Sequence, residues 1–358
     1  MLLFLYAIPL VSLSIYSYAL IDPNLTLLQT NWWVIFRDKM VYFGYYQRDH
    51  SWLVYLILVA ALFFFHYVFL KKYKQVNPIH LAILIGIITI FSYPFLTHDF
   101  FNYLFDAKIV TFYHQNPYFH KALDFPYDPW LRFMQWTHRT YPYGPTFLPI
   151  TLLPSFLSMG KFMISFLFFK ITFFFFYFLA VLSLSKLNKK WAVLFATNPL
   201  IIVEGLINSH NDLIALSLAI VGVYFLFKKK DNKARLLLVI SAGIKYLTLP
   251  LFFLSRDNKK LNRLVFFSLL ALVTYLSIKS EIQPWYFLAV FAFIPFYERL
   301  INHFAIFFAG LLLSYYPYIR LGGWDSADKV NLKHLIIIWL SLFNMIYIFF
   351  SRKKLNLK

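Results

Sequence analysis

The sequence predicts an all-α, polytopic integral membrane protein of about 10 to 12 transmembrane or half-membrane helices. Composition is the first reason: the 358 residues are 61% apolar and only 14% charged, against about 25% charged in ordinary soluble domains. One water-facing core cannot hide that much apolar surface. Patterning is the second, because apolar runs of about twenty residues recur along the chain, the length an α-helix needs to cross a bilayer. The third is punctuation by short Lys-rich segments. The absence of cysteine removes disulfides, thiolate metal sites and cysteine nucleophiles together.

In chain order, hydropathy predicts spans over 2–20, 52–70, 79–97, 162–184, 212–227, 264–278 and 332–350. The first lacks a basic start and a small-residue cleavage site, so it reads as a retained helix and not a signal peptide. Residues 21–51, with Trp32, Trp33, Arg37 and Lys39, read as an aromatic belt between two spans, with an interfacial helix as the alternative. Three segments are interrupted: 146–160 by Pro149 and Pro154, 191–207 by Pro199, and 236–254 by Lys245 and Pro250. These read as bent or half-membrane helices, which persist only where protein or a cavity receives the freed backbone groups. Residues 288–298 and 303–318 complete the set.

The net charge of +19 would suggest a nucleic-acid partner in a soluble protein, but its distribution is a topology signal. The basic stretches at 71–74, 186–190, 228–235, 256–263 and 352–358, together with Arg299, hold 20 of the 34 Lys and Arg. They carry only Asp231, Asp257 and Glu298 among the 15 acids. With a cytoplasmic amino terminus every basic stretch falls inside, as the positive-inside rule requires, and no nucleic-acid partner is needed. That arrangement makes 146–160 dip in and out on the outer side and makes 236–254 turn back at Lys245.

Ionisable groups at the ends of apolar spans are costly unless paired or hydrated, which makes them functional candidates. One cluster, THDFFNYLFDAKIV, carries His98, Asp99 and Asp106. Asp99 and Asp106 are seven apart and share a face of any helix that begins there; the bland reading has Asp99 capping that helix and Asp106 paired with Lys108. A second cluster places Glu204, Asn208, His210, Asn211 and Asp212 between two spans, with Asn211 or Asp212 capping the next helix on the bland reading. A third is Lys245, alone in a Leu-rich run. Lys245 either snorkels to the interface or offers a fixed cation to an anion at that depth, a lipid phosphate, which points to a lipid-linked substrate. The outer loop 98–145 adds Asn116, Tyr118, Trp130, Trp136, Arg139, Tyr141 and Tyr143. Aromatic faces stack on sugar C–H surfaces while amides and carboxylates hold hydroxyls, so this is a carbohydrate surface or a membrane belt. No paired-ligand spacing marks a metal site; a divalent cation held by His98, Asp99, His210 and Asp212 is the disfavoured reading, and no cofactor is expected.

These residues, taken in order, carry a resemblance. D-x6-D-A (Asp99 to Ala107), N-P-Y (Asn116 to Tyr118), T-Y-x-Y-x-P (Thr140 to Pro145) and G-K-F (Gly160 to Phe162) are followed by N-P-L (Asn198 to Leu200), N-x-H-N-D (Asn208 to Asp212), the lysine motif at Lys245 and P-W-Y (Pro284 to Tyr286). The chain resembles GT-C fold glycosyltransferases that take sugar from a polyprenyl phosphate carrier, in particular prokaryotic polyprenol-phosphate-mannose mannosyltransferases and the catalytic subunit of GPI mannosyltransferase I. The resemblance implies a GT-C-like module over 78–358, preceded by a two-helix extension over 1–77, in the cell membrane with its active site extracytoplasmic. It implies transfer of a hexose, mannose by family weight, from a polyprenyl-phosphate-linked donor to a glycan or glycolipid acceptor.

On that reading Asp99 is the general base of an inverting displacement, and Asp106 orients the acceptor or shares the role. Lys245, aided by Arg139 or His210, meets the departing lipid phosphate, while Glu204, Asn208, Asn211 and Asp212 line the sugar pocket or hold those cations. His98, Asn116, Tyr118, Tyr141, Tyr143 and Trp285 complete the expected binding set. Two departures stand out. Relatives with D-x-D have a second acid where this chain has His98-Asp99-Phe100, and the acidic motif follows the third span where many members place it after the first. A transporter or flippase of a lipid-linked sugar would use the same residues without chemistry.

Overall fold

The computed structural model describes residues 1–25 and 27–355; residues 356–358 of the last basic stretch lie outside the described residues. Helices are the only extended elements among the described residues. They run α1 (Leu2–Tyr16), α2 (Asn31–Val41), α3 (Arg48–Lys71), α4 (Pro78–Ile90), α5 (Asp99–Thr111), α6 (Phe147–Ser158), α7 (Phe162–Ser185) and α8 (Lys189–Ala196). There follow α9 (Asn211–Phe227), α10 (Asp231–Ile244), α11 (Lys259–Lys279), α12 (Ile294–Asn302), α13 (Ala305–Leu313), α14 (Tyr316–Leu321) and α15 (Ala327–Leu355).

Five helical segments are long and apolar enough to cross a membrane, α1 with its 3-10 extension to Leu20, α3, α7, α11 and α15. Two bent pairs bring the number by length and composition to at most seven when each pair is counted as one span: α8 with the π-helix Ile201–Ile207, bent by 67°, and Pro284–Asn302 with Ala305–Leu321, bent by 96°. The chain is a multi-pass membrane protein. The predicted span 79–97 is shorter than expected: α4 stops at Ile90, because Pro94 has no N–H to give and restricts the residue before it. Tyr93 N–H goes to the Ser17 hydroxyl instead, at 2.8 Å. Between the first two spans a helix forms, α2, with Trp32 exposed and Trp33 buried.

The interrupted segments fold as their prolines dictate. α6 is a short apolar helix packed on α5 and α7. α10 ends at Ile244, Lys245 is extended, and a 3-10 helix over Tyr246–Phe253 runs back along α10. Arg235 on α10 donates to the Phe252 carbonyl and closes the base of this hairpin. At 1.5 Å per residue the ten residues from Arg235 to Lys245 carry the lysine about 15 Å from that base.

The basic stretches at 71–74, 186–190, 228–235 and 256–263 meet at one end of the bundle. Lys189 Nζ donates to the Lys74 carbonyl at 2.7 Å, Lys190 pairs with Glu298 at 2.5 Å, and Arg256 donates to the Leu226 carbonyl at 3.3 Å. The helices of the amino-terminal segment pack into the rest: α1 lies on α4, and α3 contacts α8, α13 and α14.

Candidate functional site

Helix α5 opens the site. Asp99 is its first residue, with its N–H received by the Thr97 hydroxyl at 3.1 Å, so the carboxylate does not cap the helix. It reaches Arg139 Nη2 instead, at 3.3 Å. Two turns on, Asp106 is 6% exposed and Oδ2 has no hydrogen-bond partner. The expected Asp106–Lys108 pair does not form. Lys108 is committed to Asp128, with Tyr113 OH donating to the same carboxylate at 2.7 Å and the Trp130 ring 3.9 Å from the ammonium. This buried clamp fastens the loop 112–146 onto α5.

Burial pushes the Asp106 carboxyl up to about 8; the nearby Arg139 guanidinium opposes that rise and Asp99 adds to it. The group carries its proton at neutral pH. Burial also raises the hydroxyls of Tyr141 and Tyr143, helped by the negative fields of Asp106 and Asp99 respectively, and lowers the His98 imidazole against the pull of Asp22 and Asp99. Among the described residues, His98 Nδ1, Asn102 Oδ1, Asp106 Oδ2, Arg139 Nε, Tyr141 OH and Asn211 Nδ2 are buried without a protein partner. Atoms of the same kind occur outside this region as well, on Tyr6, Trp33 and Ser165 among others, and the six named here are polar surface that the walls of the site leave unpaired.

The second wall is the turn before α9. Asn211 is the first residue of α9 and neither it nor Asp212 caps the helix; Asp212 sits in the first turn, where the helix dipole favours a carboxylate. Asp212 Oδ2 accepts from Lys245 Nζ at 2.9 Å. Asn211 N–H points at Tyr103 OH, 3.4 Å away, and Tyr103 stands in the fields of Asp99, Asp212 and Arg139. Lys245 in turn lies in the fields of Asp212, Tyr286 and Asp99. The Asp99–Arg139 and Asp212–Lys245 pairs therefore face one another across Tyr103.

Two glycines allow this approach. A Cβ on Gly144 would stand 2.1 Å from the Gly243 carbonyl oxygen and 2.8 Å from that of Ile244. Thr146 N–H donates to the same Gly243 carbonyl at 3.1 Å. The T-Y-x-Y-G-P loop carrying Tyr141 and Tyr143 thus docks directly on the hairpin tip carrying Lys245.

Glu204, Asn208 and His210 lie beneath, at 0%, 0% and 1% exposure, so they support the site from inside. His210 Nε2 is 3.3 Å from Glu204 Oε2, Asn208 donates to the same oxygen at 3.3 Å, and Trp285 stacks on His210 with centroids 4.0 Å apart. Asn116 and Tyr118 form the rim, exposed, with Tyr118 edge-on to Tyr141 at 5.2 Å. Beside them a groove of about 460 Å³ runs past His114, Gln115 and Leu148. A separate apolar groove of about 430 Å³, between α1, α2 and α4, is lined by Ile15, Trp32, Trp33 and Phe91. Among the described residues no three His, Asp or Glu side chains gather as a metal site.

The sequence does not mark Tyr103, Asn102 or Tyr286 as walls of the site. A Tyr or Asn on a buried helix gives no signal of its own, whereas Lys170, alone among phenylalanines in a span, does.

Residues 20–254 match the family described as alpha-(1->6)-mannopyranosyltransferase, N-terminal domain. The chain belongs to that family. It is a glycosyltransferase of the mannosyltransferase kind, with a glycan acceptor, and every residue of the two facing ion pairs falls inside the matched range. The match begins within the amino-terminal segment, and Trp285 and Tyr286 lie beyond its end. No curated protein and no solved structure matches the chain.

Proposed function

We propose that the protein transfers mannose from a polyprenyl phosphate carrier to a glycan or glycolipid hydroxyl on the extracytoplasmic side of the cell membrane. The observation that carries this reading is the pair of acid–cation contacts, Asp99 with Arg139 and Asp212 with Lys245, meeting across Tyr103. Asp99 takes the proton of the acceptor hydroxyl as its oxygen attacks the anomeric carbon. The bond from that carbon to the phosphate oxygen breaks on the opposite face. The lipid phosphate leaves with one more negative charge, which Lys245 and Arg139 neutralise. An α-(1→6) linkage, the one in the family's description, makes the attacking group a 6-hydroxyl.

Asp106, protonated at neutral pH, donates a hydrogen bond to a substrate oxygen and orients it. The groove beside Asn116 and Tyr118 receives the acceptor. Orientation follows from charge: the basic loops gather at one end of the bundle, the cytoplasmic one by the positive-inside rule, and the two facing ion pairs stand at the far end of α9.

The test supplies purified protein with polyprenyl phosphomannose and a membrane glycolipid acceptor. Wild type should lengthen the acceptor, while Asp99→Asn binds donor and transfers nothing measurable. Transfer retained in Asp99→Asn removes the base. Transbilayer movement of donor without a lengthened product replaces the transferase reading with a flippase.

A further inference from the structure

Lys170 lies in α7, eight residues beyond Phe162, about 12 Å along the helix at 1.5 Å per residue. It is 2% exposed. Its Nζ donates to the carbonyls of Ile207 at 2.6 Å and Leu206 at 2.9 Å, and lies 3.2 Å from the hydroxyls of both Ser92 and Ser209. None of these four oxygens belongs to a carboxylate.

An ammonium inside an apolar span is expensive, and such groups persist where they are paired and useful. Here the pairing is with the carboxyl-terminal end of the π-helix Ile201–Ile207. Carbonyls there have no onward helical partner and carry the negative end of the helix dipole. In broken membrane helices such ends collect a free cation; in this fold the cation is tethered to the neighbouring span. Ser209, one of its partners, has φ +57, a left-handed conformation that a non-glycine residue holds only where its surroundings fix it. Immediately after it come His210, stacked on Trp285, and Asp212, bonded to Lys245. Asn208, just before it, receives the Leu96 N–H at 3.2 Å and so ties the turn to the strand of chain that leads into Asp99.

We propose that Lys170 is a positioning residue for transfer: its ammonium fixes the Leu206–Asp212 turn, and through it the placement of Asp212 and Lys245. The inference rests on the reading above, that the two facing ion pairs are the active site. Lys170 itself is sealed from the cleft by Leu206, Ile207 and Ser209 and touches no substrate.

The experiment uses full-length Lys170→Met, Lys170→Gln and Asp99→Asn in reconstituted membranes. Two readouts are hydrogen exchange by segment, and kcat divided by the number of donor-binding sites titrated with polyprenyl phosphomannose. Lys170→Met should raise exchange about tenfold or more over Leu206–Asp212 alone and cut kcat per donor-binding site about tenfold or more. Lys170→Gln, which restores two N–H donors without the charge, should fall between Lys170→Met and wild type on both. A kcat per site within about twofold of wild type, or exchange raised evenly along the chain, overturns the proposal and leaves Lys170 a stability residue. Should Lys170→Met not fold, Lys170→Gln decides by the same two measurements. Asp99→Asn separates the layers: inactive beside an active Lys170→Met, it removes only the lysine's role, whereas an active Asp99→Asn removes the underlying site.

Discussion

Asp106 and Lys245 show how much one side chain's surroundings decide. Burial lifts the Asp106 carboxyl to about 8, so the folded protein holds that proton more tightly than the unfolded chain, whose carboxyl titrates near 3.8. The sign follows: its contribution to stability is complete below that lower value and is lost as pH rises toward 8. The thermal midpoint of wild type should therefore fall between pH 5 and pH 8.5 more steeply than that of Asp106→Asn, which has nothing to ionise. In kinetics, kcat/KM should drop on the alkaline side near pH 8 in wild type, and that limb should vanish in Asp106→Asn. On the proposed mechanism Lys245→Met takes away the cation that meets the departing phosphate and should lower kcat by about 10² to 10³, measured with saturating donor. Both residues were legible in the sequence because an ionisable group in an apolar run demands an explanation. Asp212, the partner of Lys245, stood among the residues expected to hold that cation; the surroundings of Asp106 were not legible. That Asp106 stands alone and Lys108 goes to Asp128 depends on which way a loop of more than thirty residues folds back, and no spacing rule encodes it.

At the level of elements, the site depends on two loops that touch backbone to backbone. Gly144→Ala places a methyl group against the Gly243 carbonyl, and overpacking of this kind costs about 1 to 3 kcal/mol. Transfer should fall more than the thermal midpoint does, because the Tyr141–Tyr143 loop and the Lys245 tip are pushed apart while the spans stay packed. An equal, small loss in both would mean the loops are not coupled. The Lys108–Asp128 clamp makes a second prediction. Lys108→Met strands a buried carboxylate, a change worth about 3 to 5 kcal/mol, and limited proteolysis should then cut between Tyr113 and Thr146 where wild type resists. Hydropathy and proline positions gave the helices and their breaks, including the reversal at Lys245. They overran α4 by several residues, because hydrophobicity alone cannot see that Tyr93 gives its N–H to Ser17.

For the whole molecule, the absence of cysteine makes orientation directly measurable. On the proposed orientation a cysteine at Tyr127, 98% exposed in the loop 112–146, should react with a membrane-impermeant maleimide on intact cells, and one at Asn232 only after permeabilisation. The reverse pattern would put the acids on the cytoplasmic side and end the extracytoplasmic assignment. The charge asymmetry that fixes this expectation was readable from the sequence, whereas the joining of distant basic loops through Lys189, Lys190 and Arg256 took a fold to reveal. One consequence concerns the lipid itself. Lys245 rides at the tip of a hairpin whose two legs both stand on the basic loops, while Asp99 hangs from α5 at the rim where that tip arrives, so the length of α10 sets how closely cation and base meet. Stretching or thinning the bilayer slides the supports of the two relative to one another and so detunes that meeting. Turnover should pass through a maximum as acyl chain length is varied in reconstituted vesicles, with the optimum set by the reach of α10.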